Sequence, residues 1–524
     1  GYAGQQPAGL HFQGDVQIND TGGFPPDAEL QVADVTAPGP TIRFFGHVTV
    51  NGKFNEVVGA VSTVALAKPD FQIFQGTSSA IAFSSLRIDS SVSRTVDFPV
   101  QDPTIAINDA FLSTGVGSLT VTASAGARTF SALGSIAFDN AVQFMANTTF
   151  ELASAGAQGI AGSSPTAPIF MNLTAGGSGT KSTSFTSTTI FGTFSVVSGS
   201  TWQIPGGHTF NLARVGAGFP VETHTVSGTL DIVSGDGVTP TTIGFGNFQQ
   251  LVVGGGPSPA IQVTPNGAFG FGTNRYVHFT RLGVAGGYSV HIQDLAAVDL
   301  QYVQFDYLIA RSALSNEDTE MAGSIQSALT ISCAASTITR FANIRFDNAV
   351  DGGAPGNARF PRYLYFLSDD GDDLNGLGGS GDLLFGCRFD DSAGLFNQAN
   401  VEKRALGDTI QFLAASGALA GDGLDMDGDR GAGDTGVDDI LWGTGFTWDG
   451  STDGDGDNRN WTDPLNWSAD AGFPSQTNEA AFIDNAAAQA SGTISLGRSL
   501  AIASLFLAPD VTLDLGGSTL AVHE

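Results

Sequence analysis

The 524-residue chain is short of cysteine, lysine, methionine and long apolar runs. Its two cysteines, Cys333 and Cys387, make neither a disulfide framework nor a zinc cluster. Whether they bridge each other is left open by their spacing. No apolar run approaches the ~18 residues that would suggest a spanning helix, so no membrane span is expected. Basic residues are scarce: Lys+Arg 21 stand against Asp+Glu 51, for a net charge of −30. Such a surface repels nucleic acid and anionic lipid, which removes both as partners, and it attracts divalent cations. Helix formers such as Lys, Glu, Met and Gln are few.

What the chain does have is 70 Gly, 38 Phe and a hydrophobic fraction of 41%. Aromatic and β-branched residues favour strands, and Gly, Asn and Asp favour turns. The apolar content is enough for a core, which argues against disorder. A start at "GYAGQQPAG" without Met, low lysine and the acidic balance give the expectation of a mature secreted protein, extracellular or at the cell surface.

One heptapeptide nearly recurs, as "IAFDNAV" at 136–142 and "IRFDNAV" at 344–350. Looser relatives are "VQFDYLI" (303–309), "CRFDDSA" (387–393) and "FIDNAAA" (482–488). Each reads as an alternating strand ending in Phe, then a corner. Asn and Asp suit corners because they tolerate the left-handed region and hydrogen-bond their own backbone. Phe305, Phe346 and Phe389 lie 41 and 43 residues apart. Half of that spacing, about 21, is taken as one solenoid coil, so two coils would separate successive phenylalanines.

The fold expected is all-β: a right-handed parallel β-helix with a long inserted loop (351–381) and a small C-terminal β module. Residues 1–130 read as the start of the solenoid or as hairpins of a sandwich-like region. Residues 131–420 read as the solenoid body, 421–460 as an acidic joint and 461–524 as a Trp-rich β module. Only 400–420 hints at helical periodicity.

Residues 446–524 carry Trp448, Gly450, Trp461, Asn466, Trp467, Pro474 and Phe482, followed by Leu505, Leu513, Leu515, Gly516, Gly517 and Leu520. This W-x-G…W…NW…P…F pattern with its Leu-rich coils resembles secreted bacterial surface proteins of the autotransporter-passenger type. The resemblance implies a surface-exposed β-solenoid and says nothing about enzymatic activity.

Three Asp/Gly loops are candidate Ca²⁺ sites, since Ca²⁺ takes six to eight oxygens in flexible geometry. The first holds Asp425, Asp427, Asp429, Asp434 and Asp438; the second holds Asp449, Asp453, Asp455 and Asp457; the third holds Asp370 and Asp372. None completes an EF-hand. A start at Asp425 meets Arg430 where Gly is needed, and a start at Asp449 ends in Asn460 where Glu is needed. The competing reading is a solvated loop with diffuse counterions.

No catalytic set is assembled. "GGSGTKS" (176–182) lacks the Gly before Lys181 that a phosphate loop requires, and "GGH" (206–208) lacks a following Gly. The seven histidines stand singly among strand residues. Asp390–Asp391 reads as a turn. The chain is therefore expected not to be an enzyme, with a polysaccharide lyase or hydrolase the lesser reading. The functional expectation is a structural subunit that pairs with copies of itself in a filament or surface layer. The alternative is an adhesin that holds surface glycans on Tyr363, Tyr365, Trp442 and Trp448.

Overall fold

The computed structural model describes residues 10–18, 29–32, 41–51, 53–56, 63–77, 81–100, 102–213, 222–247, 249–283, 287–293, 295–310, 329–332, 337–348, 350–351, 363–366, 384–390, 401–403, 410–413, 415–418, 420, 440–448, 450, 457, 459–467, 473–475, 479–483, 493–502, 504–507 and 511–522. Among them there is no α-helix, and the strands stack in parallel ladders. The fold is an all-β parallel solenoid. The chain divides into two units, Gly1–Ile232 with Thr242–Gly244, and Val233–Thr241 with Phe245–Glu524.

In the first unit, three ladders run side by side. One stacks Thr41–Phe44 on Thr63–Leu66, then the C-terminal halves of Ile81–Ser90 and Thr104–Gly115, then Ser135–Phe138, Gln158–Ala161 and Gly179–Thr183. The second stacks Phe71–Gln75, Arg94–Asp97, Leu119–Thr122 and the start of Val142–Leu152. The third runs from Glu29–Val32 through Lys53–Glu56 to Arg128–Ala132 and Phe194–Val196. Each circuit of the chain thus contributes a strand to each face. Partners such as Val121 and Phe144, or Phe170 and Ile190, lie 23 and 20 residues apart. The described strands of residues 1–130 therefore stack in parallel, like those of 131–213, rather than folding back as hairpins.

Burial alternates along most strands, as in Thr41–Phe44, so every second side chain enters the interior. There the rings of Phe74, Phe98, Phe130, Phe144 and Phe170 succeed one another at 5.7, 5.0, 5.7 and 5.6 Å. These separations fall in the range where aromatic pairs attract beyond simple burial.

The second unit repeats the scheme. Gln249–Val253, Tyr288–Ile292, Leu329–Ile331, Leu364–Phe366 and Val401–Lys403 form one ladder. Ala260–Thr264 pairs with the first half of Ala297–Asp306, and that with the first half of Ile338–Asp347. Val277–Arg281 pairs with the second half of Ala297–Asp306, then Ile338–Asp347, then Arg388–Phe389.

Three sequence expectations are corrected by the ladders. Phe305 faces Phe346 and Phe346 faces Phe389 directly, so the 41- and 43-residue spacings are one coil each, not two. Spacing counts every residue between two corners, whereas stacking counts only those in the ladder. The segment 351–381 is not all insertion: Leu364–Phe366 lies within it as a coil strand, with Leu364 and Phe366 buried. Within 400–420 the chain forms the strands Val401–Lys403 and Ile410–Leu413 instead of a helix. Apolar residues there meet the interior at strand positions, and that burial outweighs the local periodicity.

The corners follow the sequence only in part: Asn140 of "IAFDNAV" is not left-handed. Asn348 and Tyr307, which come after the Asp of two repeats, both adopt left-handed backbone at φ 55° and 65°. A second left-handed column runs through Tyr302, Asn343 and Gly386, at φ 50°, 53° and 65°. Glycine is favoured at 386, because a Cβ there would lie 2.4 Å from Asn343 Oδ1 and displace it.

Toward the C-terminus, Ile410–Leu413, Ile440–Thr447, Glu479–Ile483 and Ser504–Leu507 stack in parallel. Thr493–Ser495 pairs with Thr512–Asp514, and Leu500–Ile502 with Leu520–Val522, so coils of about 20 residues do occur in this segment.

Candidate functional site

The polar side chains show what the fold does with its chemistry. In the first unit the rare cations and amides bond carbonyls at the corners, most of them one coil back. The Lys181 ammonium donates to the Ser154, Gly156 and Ser178 carbonyls at 2.7, 2.7 and 2.6 Å. Gln158, its register partner, donates to Ala132 and Gly134 at 2.9 and 2.8 Å. Gln72 does the same to Phe44 and Gly46. Arg94 donates to the Leu66 and Asp89 carbonyls and to Gln72. Its burial lowers the guanidinium pKa to about 10, against the opposing pull of Asp89. Several of these carbonyls, among them Phe44, Ala132 and Ser154, also accept a backbone amide of the next coil, so the side chain adds a second bond at the corner. "GGSGTKS" is thus a strand with a corner clamp.

Histidines behave likewise. His208 Nδ1 lies 2.8 Å from the Phe185 carbonyl, and His224 Nδ1 accepts from the Phe194 amide at 3.1 Å. Burial pushes the His208 imidazole down to about 4, despite that carbonyl contact.

The densest constellation lies on one face of the second unit. His278, Gln304, Arg345 and Arg388 are register partners in four successive strands and alternate with buried neighbours, so they form an outward rail. Beside it runs a buried column of Asp306, Asp347 and Asp390. The rail is tied to the column: His278 Nε2 lies 2.6 Å from Asp306 Oδ2, and Gln304 Nε2 donates to the same oxygen at 2.9 Å. Arg345 approaches Asp347 at 3.6 Å and Asp390 at 3.3 Å, while Arg388 Nε donates to Asp390 at 2.6 Å. The Asp390 contact raises the Arg388 guanidinium further above its ordinary value. Three stacked carboxylates would repel one another, and the guanidiniums offset this.

Aromatic rings flank the rail. The short turn Gly270–Arg275 sets Phe271 5.2 Å from Tyr276 and 5.6 Å from Tyr302, and Phe269 stacks on Tyr302 at 5.3 Å. Phe269, Phe271 and Tyr276 remain partly exposed. The Tyr276 phenol is raised by burial and by the nearby Asp306 charge, against the pull of Arg345. Tyr288 OH and Asp306 Oδ1 are both buried without a hydrogen-bond partner. Burial, then the Asp306 charge, push that phenol well above its usual value.

Of the eleven aspartates expected to bind Ca²⁺, Asp425, Asp427, Asp429, Asp434, Asp438, Asp449, Asp453, Asp455, Asp370 and Asp372 lie outside the described residues. Asp457 is described, and it organises a turn. Its carboxylate accepts from the Arg459 and Asn460 amides at 2.9 Å each, from Asn466 Nδ2 at 2.7 Å, and from the Asn460 side chain. Partial burial alone would raise its pKa; these donors outweigh it and hold the carboxyl at about 2. Asn466 is buried and also donates to the Asn460 carbonyl. Around this turn Trp448, Trp461 and Trp467 pack edge to face at 5.0 and 4.8 Å, and the Trp461 and Trp467 indoles donate to the Pro474 and Trp461 carbonyls. A carboxylate holding four donors is satisfied without a cation. Among the described residues no group of three or more His, Cys, Asp or Glu is placed to hold a metal.

Two of the four aromatics expected to stack on sugars, Tyr363 and Trp448, are corrected. Tyr363 and Trp448 are 1% exposed, and Tyr363 OH donates to the Asp390 carbonyl at 2.6 Å. Trp442 is half-buried and stacks on Phe412 at 4.7 Å. The side chain of Tyr365 lies outside the described residues. The Tyr363 and Trp448 rings have found the interior, where they bury more apolar surface than on the flank. Cys387 is a free, fully buried thiol raised by burial to about 12, and Cys333 lies outside the described residues.

The sequence signal for the rail was present in "VQFDYLI", "IRFDNAV" and "CRFDDSA": the residue before each Phe is Gln, Arg or Arg, and the residue after is always Asp. Only stacking shows that these positions adjoin.

Fold and site together define a parallel β-solenoid with a salt-bridged rail on one face. Compared with known proteins, the chain matches no family model, no curated protein and no solved structure.

Proposed function

We propose that this chain is a secreted structural protein, a subunit of an extracellular filament or surface layer built by end-to-end or strand-lending β contacts. The observation that carries the reading is the use of polar groups. Lys181, Arg94, Gln158 and Gln72, the residues best suited to chemistry in the first unit, are engaged in holding one coil to the next. A chain that stacks its own strands has edges that take up further strands in the same geometry. Contacts of that kind, head to tail, need not close and so give filaments.

Calcium enters as a stiffener of residues 421–460, where the acidic side chains repel each other unless a cation intervenes. Negative-stain microscopy of the purified chain at high concentration, with and without EDTA, tests the reading. Filaments or sheets are expected, with EDTA exposing 421–460 to protease first. Discrete monomers in both conditions would sink the assembly, and unchanged protease sensitivity would sink the calcium joint.

A further inference from the structure

We propose that the rail of His278, Gln304, Arg345 and Arg388, with Phe271 and Tyr276 beside it, binds a neutral oligosaccharide lying along the solenoid axis. The inference does not rest on assembly; a chain that never polymerises is still expected to bind.

Spacing is the first argument. The four residues are consecutive register partners, so their head groups repeat at the strand separation of about 4.8 Å, and the rail extends roughly 14 Å. A linear chain of sugars presents hydroxyls in a similar repeating line.

Fixed geometry is the second. The contacts at 2.6 and 2.9 Å to Asp306, and at 2.6 Å to Asp390, set the orientation of His278, Gln304 and Arg388 before any ligand arrives. Groups held in this way lose little entropy on binding. A guanidinium carries five N–H donors, and the Asp390 contact of Arg388 takes the Nε one. The Arg345 and Arg388 side chains are 33% and 55% exposed, so the rail is open to solvent.

The third argument is the aromatic flank. A sugar ring has apolar C–H faces as well as hydroxyls. Apolar and aromatic surface combined with a few placed polar groups is the usual lining of a small-molecule site. Phe271 and Tyr276 are partly exposed and lie 5.2 Å apart, and Tyr276 is two residues from His278, just ahead of the strand Val277–Arg281.

Charge decides the class of sugar. Three aspartates stand against two arginines, so the rail has no positive excess to attract an acidic polysaccharide. The chain's net charge of −30 repels polyanions as well.

Affinity electrophoresis in gels containing a soluble β-glucan, a xylan or a galactomannan tests the site, with polygalacturonate and alginate as acidic controls. At least one neutral polymer is expected to retard the wild-type chain, and neither acidic one. Tyr276→Ala and Gln304→Ala are each expected to weaken binding at least tenfold. Arg388→Gln, which keeps a hydrogen-bond donor beside Asp390, is expected to do so as well. Circular dichroism confirms that each variant is folded. No retardation by any neutral polymer, equal retardation by the acidic ones, or folded variants that bind like wild type would overturn the proposal.

Discussion

Phe346 sits at the centre of the second unit's ring column, and its truncation puts a number on coil stacking. Its ring lies 5.6 Å from Phe305 and 5.1 Å from Phe389, nearly parallel to both, and 5.6 Å from Tyr363. It is fully buried. Phe346→Ala removes the ring from a site that its strand neighbours cannot close, which costs about 3–5 kcal/mol. Phe346→Leu keeps most of the volume and is expected to cost about 1.5 kcal/mol or less. In a solenoid, stability is close to a sum of coil and neighbour terms, so the loss is local. Native-state hydrogen exchange is the assay. In Ala297–Asp306, Ile338–Asp347 and Arg388–Phe389, a loss of about 4 kcal/mol speeds exchange by about a thousandfold. Exchange in Val142–Leu152 should stay as in wild type. A change below about tenfold in the three strands, or equal acceleration in Val142–Leu152, would refute the stacking argument.

Lys181→Met removes three hydrogen bonds to corner carbonyls, of which Ser154 keeps the Ser178 amide, and is expected to lower the urea midpoint by an amount equivalent to about 2 kcal/mol; an unchanged midpoint would show the clamp to be idle. His208 is held neutral in the fold, with a pKa of about 4 against 6.5 unfolded. The unfolded state therefore takes the proton first, so stability falls as pH drops from about 6.5 to about 4, by about 3 kcal/mol, and then levels off. His208→Phe should flatten that part of the pH–stability curve. In a Cys333→Ser background, Cys387 should resist a thiol reagent at about pH 8 until the chain is denatured, because burial keeps its pKa at about 12. Asp457→Ala removes the acceptor of Asn466 and is expected to cost about 1.5 kcal/mol and red-shift tryptophan emission. The Asp457 contribution is present above about pH 4 and lost as pH falls toward 2, since its folded pKa is depressed.

Strand, corner, strand was legible in the sequence because it depends on local chemistry: Phe enters the interior, and Asn348 turns left-handed. Coil count was not legible, because 41 residues between Phe305 and Phe346 can be two short coils or one long one. Register decides between them, and register is a contact between distant residues. The strand Leu364–Phe366 was hidden for the same reason. Three residues among Gly, Pro and Asp carry no periodicity, and only their ladder partners define them. The charged rail is not legible in the sequence, because nothing in a strand taken alone shows that Gln304, Arg345 and Arg388 are neighbours. Tyr363 and Trp448 were misread because their apolar neighbours in space are far away in sequence.

The register from Phe305 to Phe389 underlies the ring column and the rail alike, and a cross-link measures it. Gln304→Cys with Arg345→Cys, in a Cys333→Ser, Cys387→Ala background, places two thiols on facing residues. One coil separates strands by about 4.8 Å, within the Cα range of a disulfide, whereas two coils, about 9.6 Å, are beyond it. The account predicts a bridge under mild oxidation, seen as a reducible gel shift and as a linked 304–345 peptide pair by mass spectrometry. A folded double variant that keeps both thiols reduced would contradict it.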